Sequence, residues 1–399
     1  MFFRVLGERL SWKSEIYLPF IVSFPKKDQM SNNEWYLIKN INNIDSPALV
    51  IYKERVQQNI LMAKNMVKNA DVLRPHVKTN KMAEVCKMMM DDGIYKFKCA
   101  TIAEAEMLAM INAKDVLFAY QPVGPKIERF ISLMKKYSST RFSCLIDNAA
   151  LAEQMNNAAK KNDVNVEVFI DVNPGMNRTG TSAEKALQLF ELLHQLKHIH
   201  IRGLHAYDGH IRDTDVTIRK QKSDEAFEKI FELANIINNK YGIDLTIIAG
   251  GSPTFPVHAA RENVECSPGT FVFWDWGYKY AMPDEPFEYA ALVISRVISV
   301  IDETTICTDL GHKSVAAENP LTSRVHFLNV PEATPVSQSE EHLVLKVPDA
   351  NKYELGDVLY GVPEHICPTV ALYDFAIVVE DGLATDEWKV IARDRKITV

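Results

Sequence analysis

Long apolar runs are missing from this chain, and no stretch reaches the length that crosses a bilayer, so no transmembrane helix is expected. Cysteine is sparse. Cys86, Cys99, Cys144, Cys266, Cys307 and Cys367 make no CxxC pair and no compact framework, which excludes a disulfide-stapled secreted module and points to reduced thiols in the cytoplasm. Basic blocks are absent as well, and a formal net charge of −7 argues against nucleic acid as a partner. What is present is a chain of 399 residues with 47% hydrophobic content, more than one core usually serves, so two domains are expected.

The stretch from Met1 to Gln29 mixes aromatics, lysines and Pro19, without the apolar centre or small-residue cleavage site of a signal peptide. Met30 stands just ahead of the globular pattern. Residues 1–33 are therefore expected to be a disordered or artefactual extension, with translation starting at Met30.

Short apolar runs then alternate with amphipathic ones. Eight strands are expected, at Val72–Lys78, Tyr95–Thr101, Val116–Gln121, Arg141–Asp147, Val166–Asn173, Ile201–Tyr207, Leu245–Gly251 and Val264–Phe273. Helical patterns separate them at 102–112, 125–136, 149–161, 183–196 and 216–240, the last with Ala226, Ile230, Leu233 and Ile237 at helical spacing. That rhythm predicts an α/β fold, a (β/α)8 barrel over 46–284. From 285 to 399 the chain is strand-rich, with strands expected at 290–301, 342–347, 357–360, 369–373 and 376–380, and reads as a smaller β domain. The segment 34–45 is expected to add a strand to that domain.

Residues capable of chemistry fall at the C-terminal ends of the expected barrel strands, where barrels of this kind build their sites. Lys78 closes the proline-stiffened run Leu73-Arg-Pro-His-Val-Lys78 and is placed like a Schiff-base amine; burial beside Arg74, His76 or Lys81 would favour its neutral form. Arg178 follows the turn-forming Pro174-Gly175, while His205, Tyr207 and His210 follow the sixth strand. Gly250-Gly251-Ser252 and Pro268-Gly269-Thr270 offer backbone amides that can wrap a phosphate, although glycine pairs commonly do no more than turn the chain. His210 is a candidate general base or a hydrogen-bonded structural histidine. His365-Ile366-Cys367, read as extended, directs an imidazole and a thiolate to one face, a pairing that suits zinc. Asp309 and His312 are candidates for supporting positions.

Taken together, Arg74-Pro-His-Val-Lys78-Thr, Lys98-Cys-Ala-Thr-Ile-Ala-Glu104, Arg178-Thr-Gly180, Gly203-Leu-His205-Ala-Tyr207-Asp-Gly-His210, Ala249-Gly-Gly-Ser252, Pro268-Gly-Thr270 and His365-Ile-Cys367-Pro-Thr resemble the D-threonine aldolase and D-serine dehydratase group from Trp35 to Val399. These are pyridoxal-phosphate enzymes with an alanine-racemase-like barrel. The resemblance implies that Lys78 carries the cofactor, that Arg178 meets the pyridine nitrogen, and that Gly250, Gly251, Ser252 and Gly269 bind phosphate with help from Tyr207. It also implies a divalent metal on His365 and Cys367, with zinc favoured over manganese or magnesium, and a homodimer acting on a small D-amino acid. Two departures bear on the reaction. Aldolase members often carry His-x-Asp at the metal, whereas His365-x-Cys367 is the dehydratase pattern, and Asn80 stands where a histidine is more usual. Retro-aldol cleavage is the leading expectation. Dehydration to pyruvate and ammonia, racemisation, and a non-catalytic cofactor carrier are the alternatives, and a racemase would need a second base opposite Lys78 that the sequence does not identify.

Overall fold

The computed structural model describes residues 34–399, so the expected extension and the start at Met30 lie outside the described residues. Strand β1 (Ala48–Tyr52) comes first, with all five residues buried. Seven parallel strands then alternate with helices: β2 (Lys96–Cys99), β3 (Asp115–Phe118), β4 (Arg141–Ile146), β5 (Val166–Asp171), β6 (Ile199–Ala206), β7 (Thr246–Ala249) and β8 (Val264–Cys266), paired in chain order. The helices start and stop where local chemistry directs. Helix 125–136 has proline in its first turn and Lys135 and Lys136 in its last. Helix 149–161 is capped by Asn148, whose side chain accepts the Leu151 amide, and the long helix 216–241 ends on left-handed Gly242.

The first expected barrel strand is the main correction to the sequence reading. Residues 70–72 form a 3-10 turn, and Leu73–Val77 makes only isolated parallel bridges, Leu73 with Cys266 and His76 with Lys98. The bonds on both sides are nonetheless real: Arg74 N donates to Cys266 O, His76 N to Pro268 O and Val77 N to Lys98 O. Pro75 has no N–H to give, so the segment closes the barrel between β8 and β2 without a regular ladder.

The β domain is a nine-stranded sheet ordered β12-β13-β10-β9-β1-β15-β16, with β14 also on β9 and β11 on β14. Its remaining strands are β9 (Ala291–Asp302), β10 (Thr305–Thr308), β11 (Val325–Phe327), β12 (Thr334–Gln338), β13 (Leu343–Lys346), β14 (Val358–Pro363), β15 (Phe375–Glu380) and β16 (Leu383–Lys389). The strand expected within 34–45 does not form; turns and a 3-10 helix at Ile41–Asn43 occupy that stretch. β1, inside the span expected to begin the barrel, takes the place instead, antiparallel to β9 and parallel to β15. Its unbroken apolar run suits a central strand covered on both faces. The strand expected at 369–373 is also absent, because Ile366–Val370 is a short helix. No helix among the described residues is long and apolar enough to cross a membrane.

Candidate active site

Lys78 lies at the barrel mouth, half-buried, its amide donating to Nδ1 of His76 at 3.2 Å. The expected charge environment is revised. Arg74 turns to the opposite end of the barrel, fully buried, with Nε on Glu265 at 2.6 Å and NH1 on Asp115 at 2.7 Å. Lys81 is tied to Glu104. Lys98 stands close instead. Burial, and next Lys78, push its amine down to about 7, while burial, Lys78 and Lys98 hold His76 well below the usual imidazole range. Asn80 accepts the amide of Met82 at 3.1 Å ahead of helix 83–91 and is thus committed to the backbone.

Arg178 is fixed by its loop. Asn173 Oδ1 accepts the amides of Gly175 and Asn177, both at 3.0 Å, and Val172 bridges Thr181, so the loop closes on itself. The guanidinium sits 4.8 Å from the ring centroid of Tyr207, and Lys98 Nζ lies 5.5 Å from that centroid. His205 Nδ1 meets Asp171 at 2.7 Å, and the other Asp171 oxygen accepts from Gln121 at 2.8 Å. Burial and then Lys98 lower the His205 pKa, and its Nε2 is buried without a hydrogen-bond partner. His210 is exposed on the rim beside Gly175, where a β-carbon would stand 3.2 Å from its Nε2. A cavity of about 260 Å3 lies behind the Arg178 loop, between Ser182 and Lys229, and reaches neither Lys78 nor Tyr207.

The expected phosphate loop has the form its glycines require. Gly250 takes φ +72, and a β-carbon there would come within 2.6 Å of the His258 ring; one on Gly251 would come within 2.8 Å of Tyr207. Among the described residues the amides of Gly251 and Ser252 find no acceptor, and Ser252 Oγ accepts the amides of Gly269 and Thr270 at 3.3 and 3.2 Å. Unsatisfied amides at a glycine bend beside a tyrosine hydroxyl fit a phosphate. Beneath the loop, Asp208 accepts from Thr254 at 2.7 Å, His258 at 2.8 Å and Ser223 at 3.2 Å, all buried. Arg261 donates to Nδ1 of His258, which fixes Nε2–H as the donor to Asp208. The sequence reading did not single out this cluster, nor Lys98 as a functional residue; the register of β2, visible only once the barrel is closed, reveals the latter.

His365 and Cys367 meet, but by a different geometry from the one expected. His365 is the extended cap residue and Cys367 lies in the first helical turn, yet the two side chains shift each other's charge, the thiol favouring the imidazolium and the imidazole the thiolate. Nδ1 of His365 contacts Glu318 at 2.7 Å, and Cys367 Sγ lies 3.0 Å from Thr79 Oγ1, which brings the pair to Lys78. Burial opposes the charge on His365, but Cys367, Asp275 and Glu318 outweigh it and raise the imidazole to about 9. Cys367 is correspondingly lowered against burial by His365 and Lys78. Imidazole and thiolate are zinc-type donors. Among the described residues no three His, Cys, Asp or Glu side chains converge on one point, and both oxygens of nearby Asp275 are engaged by the amides of Tyr278 and Ile366. Asp309 serves the β domain, accepting from Ser46, Ser295 and the Arg296 amide.

Comparison with known proteins agrees with this architecture. Residues 51–275 match the family described as "Alanine racemase, N-terminal domain", and residues 290–379 match "Putative serine dehydratase domain". A D-threonine aldolase of Arthrobacter sp is 27% identical over 88% of this chain and 93% of its own length. A D-serine dehydratase of Dictyostelium discoideum is 22% identical over 88% and 97%. The crystal structure of D-threonine aldolase from Filomicrobium marinum superposes with a TM-score of 0.79 at 25% identity, covering 88% of this chain and 96% of that one.

Proposed function

The chain belongs to the alanine racemase N-terminal-domain family, and from that premise we propose that it is a pyridoxal-phosphate-dependent lyase of β-hydroxy D-amino acids, cleaving a D-threonine-like substrate to glycine and an aldehyde. The observation that carries the reading is the meeting of Cys367 with Thr79, one residue from Lys78, by which barrel and β domain supply one site.

Bound, pyridoxal phosphate supplies an electron sink at the substrate's α-carbon, and a zinc ion supplies Lewis acidity at its β-hydroxyl. The chain's own residues supply the rest. Lys78 offers the amine that holds the cofactor. The free amides of Gly251 and Ser252, with Tyr207, receive the phosphate. Toward a pyridine nitrogen the Arg178 guanidinium donates a hydrogen bond without protonating the ring, which suits cleavages that need moderate carbanion stabilisation. His365 and Cys367 are the metal donors, with Glu318 orienting the imidazole. His210, exposed on the rim, is assigned as the base that accepts a hydroxyl proton.

Similarity over nearly the full chain to a D-threonine aldolase supports the aldol reading. The second reading, elimination from D-serine to pyruvate and ammonia, is favoured by the cysteine at position 367. Incubation with D-threonine and D-serine, assaying acetaldehyde, glycine and pyruvate, separates them. Acetaldehyde with glycine is expected; pyruvate alone reverses the order, and a Lys78→Ala protein to which borohydride still fixes the cofactor covalently removes Lys78 from its role.

A further inference from the structure

Lys98 is out of place as a structural residue. It pairs in register with Leu117 of β3, and Leu117 belongs with Leu145, Phe169 and Ile248 to the apolar cluster inside the barrel. Paired residues of adjacent strands project to the same side, so the Lys98 side chain enters the lumen. It is 3% exposed, and among the described residues its Nζ has no hydrogen-bond acceptor. The groups facing it are His76 and Lys78 on the closing segment, Asp171 on β5, Arg178 on the following loop, and His205, Tyr207 and Asp208 at the end of β6. Neither carboxylate is available. Asp171 is held by His205 and Gln121, and Asp208 by Thr254, His258 and Ser223. An amine held in the lumen with no protein acceptor, beside a lysine and an arginine, has its donors free for an anion.

We infer that Lys98 is an anion receptor of the barrel mouth, which donates to an oxyanion of the bound cofactor or to the substrate's carboxylate and takes up a proton as that ligand enters. This rests on the pyridoxal-phosphate reading above. Burial and then Lys78 push the amine down to about 7, so at pH 8 its neutral form dominates until an anion pairs with it. Pairing with an oxyanion draws one proton from solvent to make the ammonium.

Calorimetric titration in two buffers of different ionisation enthalpy counts that proton. Wild-type, Lys98→Met and Lys98→Arg proteins are titrated at pH 8 with pyridoxal phosphate, and then, once loaded, with D-alanine, which carries the carboxylate but no β-hydroxyl. Proton changes at Lys78 are common to all three proteins and cancel in the comparison. The wild type is expected to take up close to one proton more than either variant. Arginine in that position stays charged throughout, so it serves should the methionine variant not fold. Excess uptake in the first titration assigns the oxyanion to the cofactor, and in the second to the substrate carboxylate. Lys98→Met is expected to weaken the step concerned on the order of 10- to 100-fold. Equal proton counts in all three proteins at both steps overturn the inference while leaving the lyase reading intact. A wild type that takes up no pyridoxal phosphate overturns the lyase reading first, and this inference with it.

Discussion

Replacing Arg74 by Met separates the support of the barrel from its chemistry. The guanidinium is fully buried and donates to Asp115 and Glu265 at the end of the barrel opposite Lys78. Removing one member of a buried ion pair costs about 3–5 kcal/mol when the other is stranded. Here neither is stranded: Asp115 retains Arg202 at 2.6 Å and Glu265 retains Lys96 at 2.6 Å. The expected loss is therefore about 2–3 kcal/mol, seen as a fall in Tm of roughly 3–4 °C. Burial raises the Asp115 carboxyl, but Arg74 and Arg202 outweigh it and hold the carboxyl well below its usual range. Such a group contributes fully above its unfolded pKa of about 3.9 and loses that contribution as pH falls through the folded value. The stability gap between wild type and variant should thus be flat from pH 5 to 8 and narrow below about 4. Thermal and urea unfolding across that range measure it, alongside the pH titration of the bound cofactor's absorbance. An unchanged Tm with a shifted absorbance titration would refute the reasoning and restore Arg74 as a neighbour of Lys78.

Gly251→Ala places a β-carbon 2.8 Å from the Tyr207 ring; overpacking of about 1–3 kcal/mol should raise the Kd for pyridoxal phosphate roughly 5- to 150-fold, and unaltered binding would show that Tyr207 is not held against the loop. Asp208→Ala leaves Thr254, His258 and Ser223 without their common acceptor and should cost about 3 kcal/mol or more, read by urea unfolding. Cys367→Ser and His365→Ala should each lower the zinc content of dialysed protein while cofactor absorbance persists; undiminished zinc in both would move the metal elsewhere.

The sequence was most readable where local chemistry and burial agree. Helices 125–136 and 149–161 formed with their expected bounds, because proline, lysine and asparagine mark their ends. It misled where tertiary contacts decide. The apolar run at 48–52 suits a buried strand, but which sheet it joins depends on β9 and β15, more than 230 residues away. Arg74 and Lys98 look alike as cations near Lys78 in the sequence; only closure of the barrel sends the first to the far end and the second into the lumen. The spacing of His365 and Cys367 suits a shared face only in an extended segment, and the chain instead sets them on a cap and the helical turn that follows it.

The place of β1 constrains how this protein can be divided. A strand made before the barrel lies between two made after it, so the nine-stranded sheet cannot be finished until the last hundred residues arrive. A fragment beginning at residue 285 would expose a gap between β9 and β15 where five buried side chains belong. The boundary visible in composition is therefore not a place to cut, and transplanting the β domain would require carrying the opening strand with it.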